Sequence, residues 1–400
     1  MVDVSKLLGL NRLDKVLSRF IKEPVKVKPS QCYTYRDKTY KCEKCVKVCH
    51  ADALTLEDQA IIIDEELCDG CGLCYSICPT GAFHLHADNK TVLSQMKLFI
   101  ENDNAITCKC VKTKDKDKVK EETSALETIC LGRLDESLLL GGAALGAKSI
   151  WLDSSACGDC EYKASEMIAR HVENSREIIS SFDSKVKISF SEEAPSKSET
   201  LGFTDLSELE KSSRRDFFSG IGKSIMSSGS DVIGERIDKV LESISPSEKS
   251  IFDSNIPEKR SIFLIMLSHM GKPVEERLES DNALIADISI TESCVFCNNC
   301  TTFCPTAALT RTKEDVRGIE FNTSLCVNCG LCEFVCLNGS LKIGGNPSWE
   351  ELILQNKKIL IEGGLYQCSK CHQYFESVTG FSECHACRLR RSKLGDDSWY

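Results

Sequence analysis

Cysteine, more than any other residue type, limits what this 400-residue chain can fold into. The chain has 25 cysteines, an odd number, and most of them stand in C-x-x-C groups. Domains that depend on disulfides are small and secreted, and they space their cysteines more loosely. Closely spaced thiols in a longer chain bind metal ions or iron–sulfur clusters instead. The sequence therefore predicts a metal- or cluster-binding protein of several domains.

Two segments follow the spacing C-x2-C-x2-C-x3-C-P, namely CDGCGLCYSICP at 68–79 and CVFCNNCTTFCP at 294–305. They resemble bacterial-type ferredoxins, in which three close thiolates hold one [4Fe–4S] cluster and the fourth cysteine reaches the other cluster. A third run, CVNCGLCEFVCL at 326–337, keeps the spacing but has Leu337 in place of proline. Four thiolates can also hold zinc, but two consecutive runs of this kind favour clusters.

The runs at 294–305 and 326–337 together form a C-terminal ferredoxin-like module. In this module the resemblance implies crossed ligand sets. One [4Fe–4S] cluster is expected on Cys294, Cys297, Cys300 and Cys336. The other is expected on Cys326, Cys329, Cys332 and Cys304. Glycines such as Gly72 and Gly330 let the backbone wrap closely and direct N–H groups at the sulfurs.

The N-terminal module, formed by residues 32–50 together with the run at 68–79, departs from this spacing. Its first half, CYTYRDKTYKCEKCVKVCH at 32–50, reads C-x2-C-x3-C from Cys42, and His50 replaces the proline. Cys32 lies far upstream, so residues 33–41 are predicted to be an insertion. We predict two clusters here, one on Cys32, Cys42, Cys45 and Cys78, and one on Cys68, Cys71, Cys74 and Cys49. If Cys32 is not a ligand, the first site would hold only three irons.

Between the modules, short β-rich segments alternate with segments of helical spacing, which predicts a small parallel sheet with crossover helices. The carboxyl ends of parallel strands meet at one edge, where ligands gather. GGAALGAKS at 141–149 fails as a phosphate loop because Ala147 separates Gly146 from Lys148, and Gly146 is predicted to end a helix. Five thiols are expected at the sheet edge: Cys108, Cys110, Cys130, Cys157 and Cys160.

The stretch CLGRLDESLLLGGAALGAKSIWLDSSACGDCEYK at 130–163 resembles the iron–sulfur delta subunit of methyl viologen-reducing hydrogenase, a domain also fused to some heterodisulfide reductase A subunits. Leu131 is larger than the small residue of that family, and a charged run after Cys110 replaces its small-residue helix. The matching residues are Cys130, Gly132, Arg133, Gly146, Ala147, Cys157, Gly158, Asp159 and Cys160.

That family binds a [2Fe–2S] cluster and passes electrons between a hydrogenase and a partner flavoprotein. The resemblance implies a [2Fe–2S] cluster on Cys130, Cys157 and Cys160, with Cys108 or Cys110 as the fourth ligand. A zinc site and a redox dithiol at Cys157 and Cys160 are the alternatives.

The last part of the chain predicts a zinc ribbon, because YQCSKCHQYFESVTGFSECHACRLRR has two C-x-x-C knuckles that suit a tetrahedral ion. Rubredoxin-like iron is the alternative. The expected ligands are Cys368, Cys371, Cys384 and Cys387. Residues 191–285 contain no cysteine and predict a helical linker. Within it, SRRDFF at 213–218 resembles a twin-arginine export motif, but its internal position favours an amphipathic helix, with a partner-docking element as the alternative.

The predicted fold class is α+β multidomain. The expected domains are an N-terminal amphipathic helix (1–30), a ferredoxin-like module (31–100), a hydrogenase-delta-like domain (101–190), the helical linker (191–285), a second ferredoxin-like module (286–345) and a zinc-ribbon-like tail (346–400). The expected cofactors are four [4Fe–4S] clusters, one [2Fe–2S] cluster and one zinc ion.

The sequence predicts a non-catalytic electron-transfer subunit, since it has no evident nucleophile–base pair, flavin fingerprint or phosphate loop. The expected partners are redox proteins such as a hydrogenase or dehydrogenase and a reductase. A net charge of −10 argues against nucleic acid, and no run approaches the ~20 apolar residues of a membrane span. Thiolate-rich sites predict a cytoplasmic location and favour anaerobic metabolism. The alternatives are an accessory or assembly factor, and a disulfide reductase subunit using Cys157 and Cys160.

Overall fold

The computed structural model describes residues 24–35, 39–85, 87–113, 125–182, 184–195, 256–278, 284–312 and 317–394. The predicted N-terminal helix up to residue 23, the SRRDFF segment and linker residues 196–255 lie outside these ranges. The chain divides into two compact units, one of residues 1–35, 41–173 and 186–240, the other of residues 36–40, 174–185 and 241–400. Within the described ranges, no helix combines the length and apolar character needed to cross a bilayer.

The N-terminal module is built from short elements around a small apolar core. Its first strand pairs antiparallel with its last, Lys26 opposite His84, and the two middle strands form a hairpin. Lys26 and Val27 are thus strand rather than the predicted helix, and the module begins before residue 31. The elements are β1 (Lys26–Val27), α1 (Lys44–Val48), β2 (Leu54–Glu57), β3 (Ala60–Ile63), α2 (Leu73–Ile77) and β4 (Phe83–His84).

A four-stranded parallel sheet follows in the chain, as the alternation of strands and helices predicted. Its strand order is β6-β5-β7-β8, and every neighbouring pair is parallel. The elements are α3 (Asn89–Asp103), β5 (Ala105–Cys110), β6 (Leu126–Thr128), α4 (Glu136–Ala144), β7 (Ser149–Asp153), α5 (Ser165–Ser180) and β8 (Lys187–Ser191).

Helix α4 packs closely on this sheet. Its Asp135 N-cap accepts a hydrogen bond from the Ser137 N–H at 3.1 Å, which satisfies one free donor of the first turn. A Cβ on Gly142 would lie 2.8 Å from Ile150 Cδ1, so a larger residue there would force the Ile150 side chain to shift. Gly146, at φ +104°, follows the helix end, and its N–H donates to Ala143 O at 3.0 Å. The predicted helix end at Gly146 is therefore confirmed.

The C-terminal module repeats the element order of the N-terminal one. After α6 (Glu258–His269) come β9 (Ile288–Ile290), α7 (Asn299–Phe303), β10 (Leu309–Arg311), β11 (Arg317–Asn322), α8 (Leu331–Phe334) and β12 (Leu341–Ile343). Again the first strand pairs with the last, Ile290 opposite Leu341, and the middle strands form a hairpin. The shared order and pairing agree with the prediction of two ferredoxin-like modules.

The tail shares a strand with this module. It contains α9 (Trp349–Ile353), β13 (Lys357–Gln367), β14 (Tyr374–Ser377) and α10 (His385–Leu394). The first part of β13, Lys357 to Gly363, pairs with β11, and its last part, Gly364 to Gln367, pairs with β14. One antiparallel sheet, β10-β11-β13-β14, thus runs through both regions. The structure differs here from the predicted division at residue 345, because one long strand belongs to both sides.

Candidate metal and cluster sites

The eight cysteines of the C-terminal module gather in two sets of four. The pKa of the Cys300 thiol is raised to about 12, first by burial and then by the charges of three neighbours, Cys294, Cys297 and Cys336. A small cavity is lined by the members of the second set, Cys304, Cys326, Cys329 and Cys332. The structure thus brings together the same cysteines as the crossed sets that the resemblance implies, and their role as cluster ligands stays a prediction.

Backbone geometry holds the loops of these sets in place. Asn298 and Gly330, at φ +67° and +86°, directly precede α7 and α8 and turn the chain around the cysteines. Buried Arg260 donates to Ser324 O at 2.8 Å and to Thr323 O at 2.9 Å, which fixes the turn that leads into Cys326. Burial raises the pKa of four of these thiols, Cys294, Cys300, Cys326 and Cys332. A positive centre such as a metal cluster would favour their thiolate forms.

The N-terminal module forms two equivalent sets. The pKa of Cys45 is raised to about 12, first by burial and then by the charges of Cys78, Cys42 and Cys32. The pKa of Cys74 lies well above its ordinary value, first through burial and then through the charges of four cysteines, Cys71, Cys45, Cys68 and Cys49. Cys32 therefore lies with the set proposed for it despite its distance along the chain.

In three Cys-x-Thr pairs of the ferredoxin-like modules, the threonine hydroxyl contacts the sulfur of a predicted ligand. Thr80 Oγ1 lies 3.5 Å from Cys78 Sγ, and Thr306 Oγ1 lies 3.8 Å from Cys304 Sγ. Thr34 Oγ1 lies 3.0 Å from Cys32 Sγ in the same Cys-x-Thr arrangement. The sequence reasoning missed this signal, although the Cys-x-Thr motif is visible in the chain.

We expect Thr80→Val to lower the reduction potential of the cluster predicted on Cys32, Cys42, Cys45 and Cys78 by about 40 mV. A hydrogen bond to a ligand sulfur stabilises the added negative charge, and about 1 kcal/mol corresponds to that shift for a one-electron couple. An EPR-monitored redox titration measures it. Thr310→Val is the control, because that hydroxyl contacts Glu320 and no sulfur. An unchanged potential in Thr80→Val would contradict the assignment.

The central set forms where the parallel strands end. Cys110 is the last residue of β5, Cys130 follows β6, and Cys157 and Cys160 follow β7. The pKa of Cys130 is raised to about 12, first by burial and then by the charges of Cys160, Cys157 and Cys110. Burial alone raises the pKa of Cys108 to about 12. Four of the five predicted thiols converge, whereas Cys108 stays apart in the middle of β5.

The central set lies directly against one cysteine loop of the N-terminal module. A Cβ on Gly132 would lie 2.4 Å from Leu73 Cδ2, and a Cβ on Gly72 would lie 2.5 Å from Arg133 Cδ. The Arg133 guanidinium also stands 4.4 Å from the centre of the Tyr75 ring. The loop of Cys71 and the turn after Cys130 are therefore packed together with no room for another atom.

Tyr162 stands beside this contact and packs against His50, the histidine found in place of proline. Its ring centroid lies 4.0 Å from that of His50, edge to face. His50 Nε2 lies 2.9 Å from Asp69 Oδ2. Burial acts to raise the pKa of Asp69, but hydrogen bonds from Tyr162, the Cys71 N–H and His50 hold it below its ordinary value. This network joins the N-terminal module to the loop after Cys160.

The tail cysteines are spaced for a single ion. The sulfurs of Cys368, Cys371, Cys384 and Cys387 all lie within 4.8 Å of one another, and Cys371 Sγ is 3.8 Å from Cys384 Sγ. Tetrahedral zinc with bonds of about 2.3 Å separates its sulfurs by about 3.8 Å. Hydrogen bonds from the backbone N–H groups of Cys371 and Cys384 lower the pKa of Cys368 to about 6.

Across the described ranges, no three cysteines of the ferredoxin runs or the central set come that close together. Those wider sets suit clusters, in which each sulfur binds a different iron or shares one with a single neighbour. The donor sets therefore fit two kinds of centre, clusters in the three thiol-rich regions and one ion in the tail.

Comparison with known proteins identifies 4Fe–4S domains in both modules. Residues 61–84 match a family model described as a 4Fe-4S binding domain, and residues 293–340 match one described as a 4Fe-4S dicluster domain. The chain is similar to Hydrogenase-4 component A of Escherichia coli, with 46% identity over 43 residues, which is 10% of this chain and 21% of that protein. It is also similar to an uncharacterized ferredoxin of Methanocaldococcus jannaschii, with 38% identity over 87 residues, 20% of this chain and 55% of that ferredoxin.

The chain therefore spans about a fifth of one relative and about half of the other. The prediction of ferredoxin modules that bind [4Fe–4S] clusters is confirmed.

Proposed function

We propose that this chain is an iron–sulfur electron-transfer protein that relays single electrons between redox proteins, such as a hydrogenase or dehydrogenase and a reductase. The 4Fe–4S domains and the similarity to a hydrogenase component and a ferredoxin support this role. When bound, iron–sulfur clusters supply one-electron chemistry at potentials set by hydrogen bonds and burial. The cysteine use still predicts a cytoplasmic location.

The proposed ligands follow the sets described above. Each ferredoxin-like module holds two [4Fe–4S] clusters on its two sets of four thiols. A [2Fe–2S] cluster is assigned to Cys110, Cys130, Cys157 and Cys160, in keeping with the resemblance to the hydrogenase delta subunit. Zinc is assigned to Cys368, Cys371, Cys384 and Cys387.

One observation carries the proposal, the direct packing of the Cys71 loop on the turn after Cys130. Leu73 packs against Gly132 between the two loops, and the Arg133 guanidinium stands over the Tyr75 ring. A relay needs neighbouring centres at a fixed short separation, and this packing supports such an arrangement. A disulfide reductase is less well supported, because burial raises the pKa of Cys157 to about 11, whereas reactive dithiols have a lowered thiol pKa.

Metal analysis of the full chain, purified without oxygen, tests the assignment. Four [4Fe–4S] clusters, one [2Fe–2S] cluster and one zinc ion predict about 18 iron, about 18 sulfide and about one zinc per chain. About 16 iron with two zinc ions would instead make the central set a zinc site. Iron without labile sulfide would contradict the electron-transfer proposal.

We expect Gly132→Ala to weaken the contact between the two thiol sets. Its methyl group would overlap Leu73 and come within 2.9 Å of Met167 Cε, so side chains must move apart. Overpacking of this kind costs about 1–3 kcal/mol of folding free energy. In the reduced, cluster-loaded protein, the magnetic interaction between the two centres seen by EPR should decrease. Gly158→Ala is the matched control, because its Cβ would meet nothing within 4 Å. Equal effects of both changes would contradict a specific contact.

A further inference from the structure

An open groove lies between the C-terminal module and the tail. The module side contributes Ser293, Val295 and Asn338, and the tail contributes Phe381, His385, Arg388 and Leu389. Its volume is about 350 Å³. Ser293 and Val295 flank Cys294, and Asn338 Oδ1 lies 3.7 Å from Cys336 Sγ. Residues next to two members of one proposed cluster set, Cys294 and Cys336, thus line the groove.

That same set is the one that reaches the surface. The structure describes all sixteen cysteines of the ferredoxin-like modules, and among them Cys297 alone is exposed. Cys297 belongs with Cys294, Cys300 and Cys336. Cys297 is close in the sequence to Cys294, whose neighbours Ser293 and Val295 line the groove. A redox partner seated in the groove would therefore lie next to this set.

The surface around the groove has the composition of a protein interface. Leu337, which replaces the usual proline, is 63% exposed, and Phe381 and Leu389 are 41% and 44% exposed. The Arg388 guanidinium stacks 3.9 Å from the centre of the Phe381 ring. Protein interfaces are enriched in aromatic residues and arginine at their cores, and clustered exposed apolar side chains mark interaction sites.

Charge identifies the kind of partner. Helix α10, HACRLRRSKL, contains basic residues and no acidic one, although the whole chain has a net charge of −10. Arg391 is paired with Glu383 at 3.2 Å, and Arg388 and Arg390 add positive charge on the same helix. Glu292, which directly precedes Ser293 in the sequence, is acidic and exposed. A positive patch that shares a groove with Ser293 and Val295, the neighbours of Cys294, attracts and orients a negatively charged redox protein.

We propose that this groove is the docking surface for an acidic electron-transfer protein of the ferredoxin class, which exchanges single electrons with the set of Cys294, Cys297, Cys300 and Cys336. The inference rests on the proposed electron-transfer function and adds the place and the charge of the partner. One electron leaves the partner and enters this set, and no atom is transferred. A protein partner is favoured over nucleic acid, because the groove is apolar and adjoins a proposed redox centre.

Stopped-flow reduction of the oxidised, cluster-loaded full chain tests the proposal. The probe is a reduced, acidic plant-type ferredoxin, at ionic strengths of about 0.01 M and about 0.15 M. We expect the double substitution Arg388→Glu with Arg390→Glu to lower the second-order rate at low ionic strength at least about tenfold, and to remove its decrease with salt. The matched control is Lys26→Glu with Lys28→Glu, which changes the charge equally at two exposed residues of the N-terminal module.

Two further readouts separate this inference from the proposed function. A small viologen reductant should reduce all variants equally, and each should keep its zinc and iron. If viologen cannot reduce the parent chain, the electron-transfer function itself fails. If viologen reduces it but both double substitutions slow the ferredoxin reaction equally, or neither slows it, the docking surface is overturned. Tight salt-sensitive binding of an RNA oligonucleotide that blocks ferredoxin reduction would also overturn the choice of partner.

Discussion

Cys110→Ala should remove about two iron and two sulfide per chain, whereas Cys108→Ala should leave both contents unchanged. The two cysteines stand two residues apart on β5 and so face the same side of the sheet. Cys110 is the last residue of the strand, and its charge acts with that of Cys160 to raise the pKa of Cys130. Cys108 is fully buried in the core, and burial alone raises the pKa of its thiol. Only the thiol at the strand end can reach a centre shared with the loops that follow β6 and β7.

Iron and sulfide analysis on anaerobically purified protein measures this result, and EPR of the reduced protein shows which signal is lost. The two substitutions are matched controls for each other, since each removes one buried sulfur from one strand. Thermal unfolding should show a modest loss for Cys108→Ala through its cavity. Loss of iron from Cys108→Ala with retention in Cys110→Ala would reverse the assignment.

Cys384→Ala should abolish zinc binding while the iron content stays near that of the parent chain. Cys384 lies 3.8 Å from Cys371, and its N–H also donates to Cys368 Sγ at 3.3 Å. Three remaining thiols leave an open site of much lower affinity. Structural zinc contributes about 10–16 kcal/mol of apparent binding free energy, so β14 and α10 should lose their fixed arrangement.

Zinc and iron analysis, together with limited proteolysis of the tail, measures this effect. His372→Asn is the control, because four thiolates fill the site without the histidine and asparagine tolerates the φ of +58° at that position. If Cys384→Ala instead loses about one iron and no zinc, the tail is a rubredoxin-like iron site.

Regular spacing made the ferredoxin-like modules and the parallel sheet predictable. Cysteines separated by two or three intervening residues are brought together by one turn of backbone, so their grouping depends on local chain geometry. The alternation of β-rich and helical segments likewise predicted the order of elements from Ala105 to Ser191. The grouping of Cys32 with Cys42 was harder, because the two cysteines are far apart in the sequence and no local pattern joins them.

Long-range pairing could not be predicted from the sequence. The choice of Cys110 over Cys108 depends on where β5 ends against its neighbours, which no local pattern shows. In the sequence, His50 is notable only because it replaces the proline of the ferredoxin run. Its contacts with Asp69 and Tyr162 depend on packing between distant segments. The pairing of β13 with β11 is similar, because the tail alone gives no sign that its first strand belongs to another sheet.

Strand β13 also limits how this chain can have changed during evolution. In the sequence, the two C-x-x-C knuckles that begin at Cys368 and Cys384 resemble a separate domain that could be gained or lost as one segment. Yet removing the chain from residue 346 onward would take away the strand that pairs with β11. It would leave that strand with an open edge, and open edges promote aggregation. We therefore expect descendants of this chain to keep the sheet and lose only the knuckles, or to lose module and tail together.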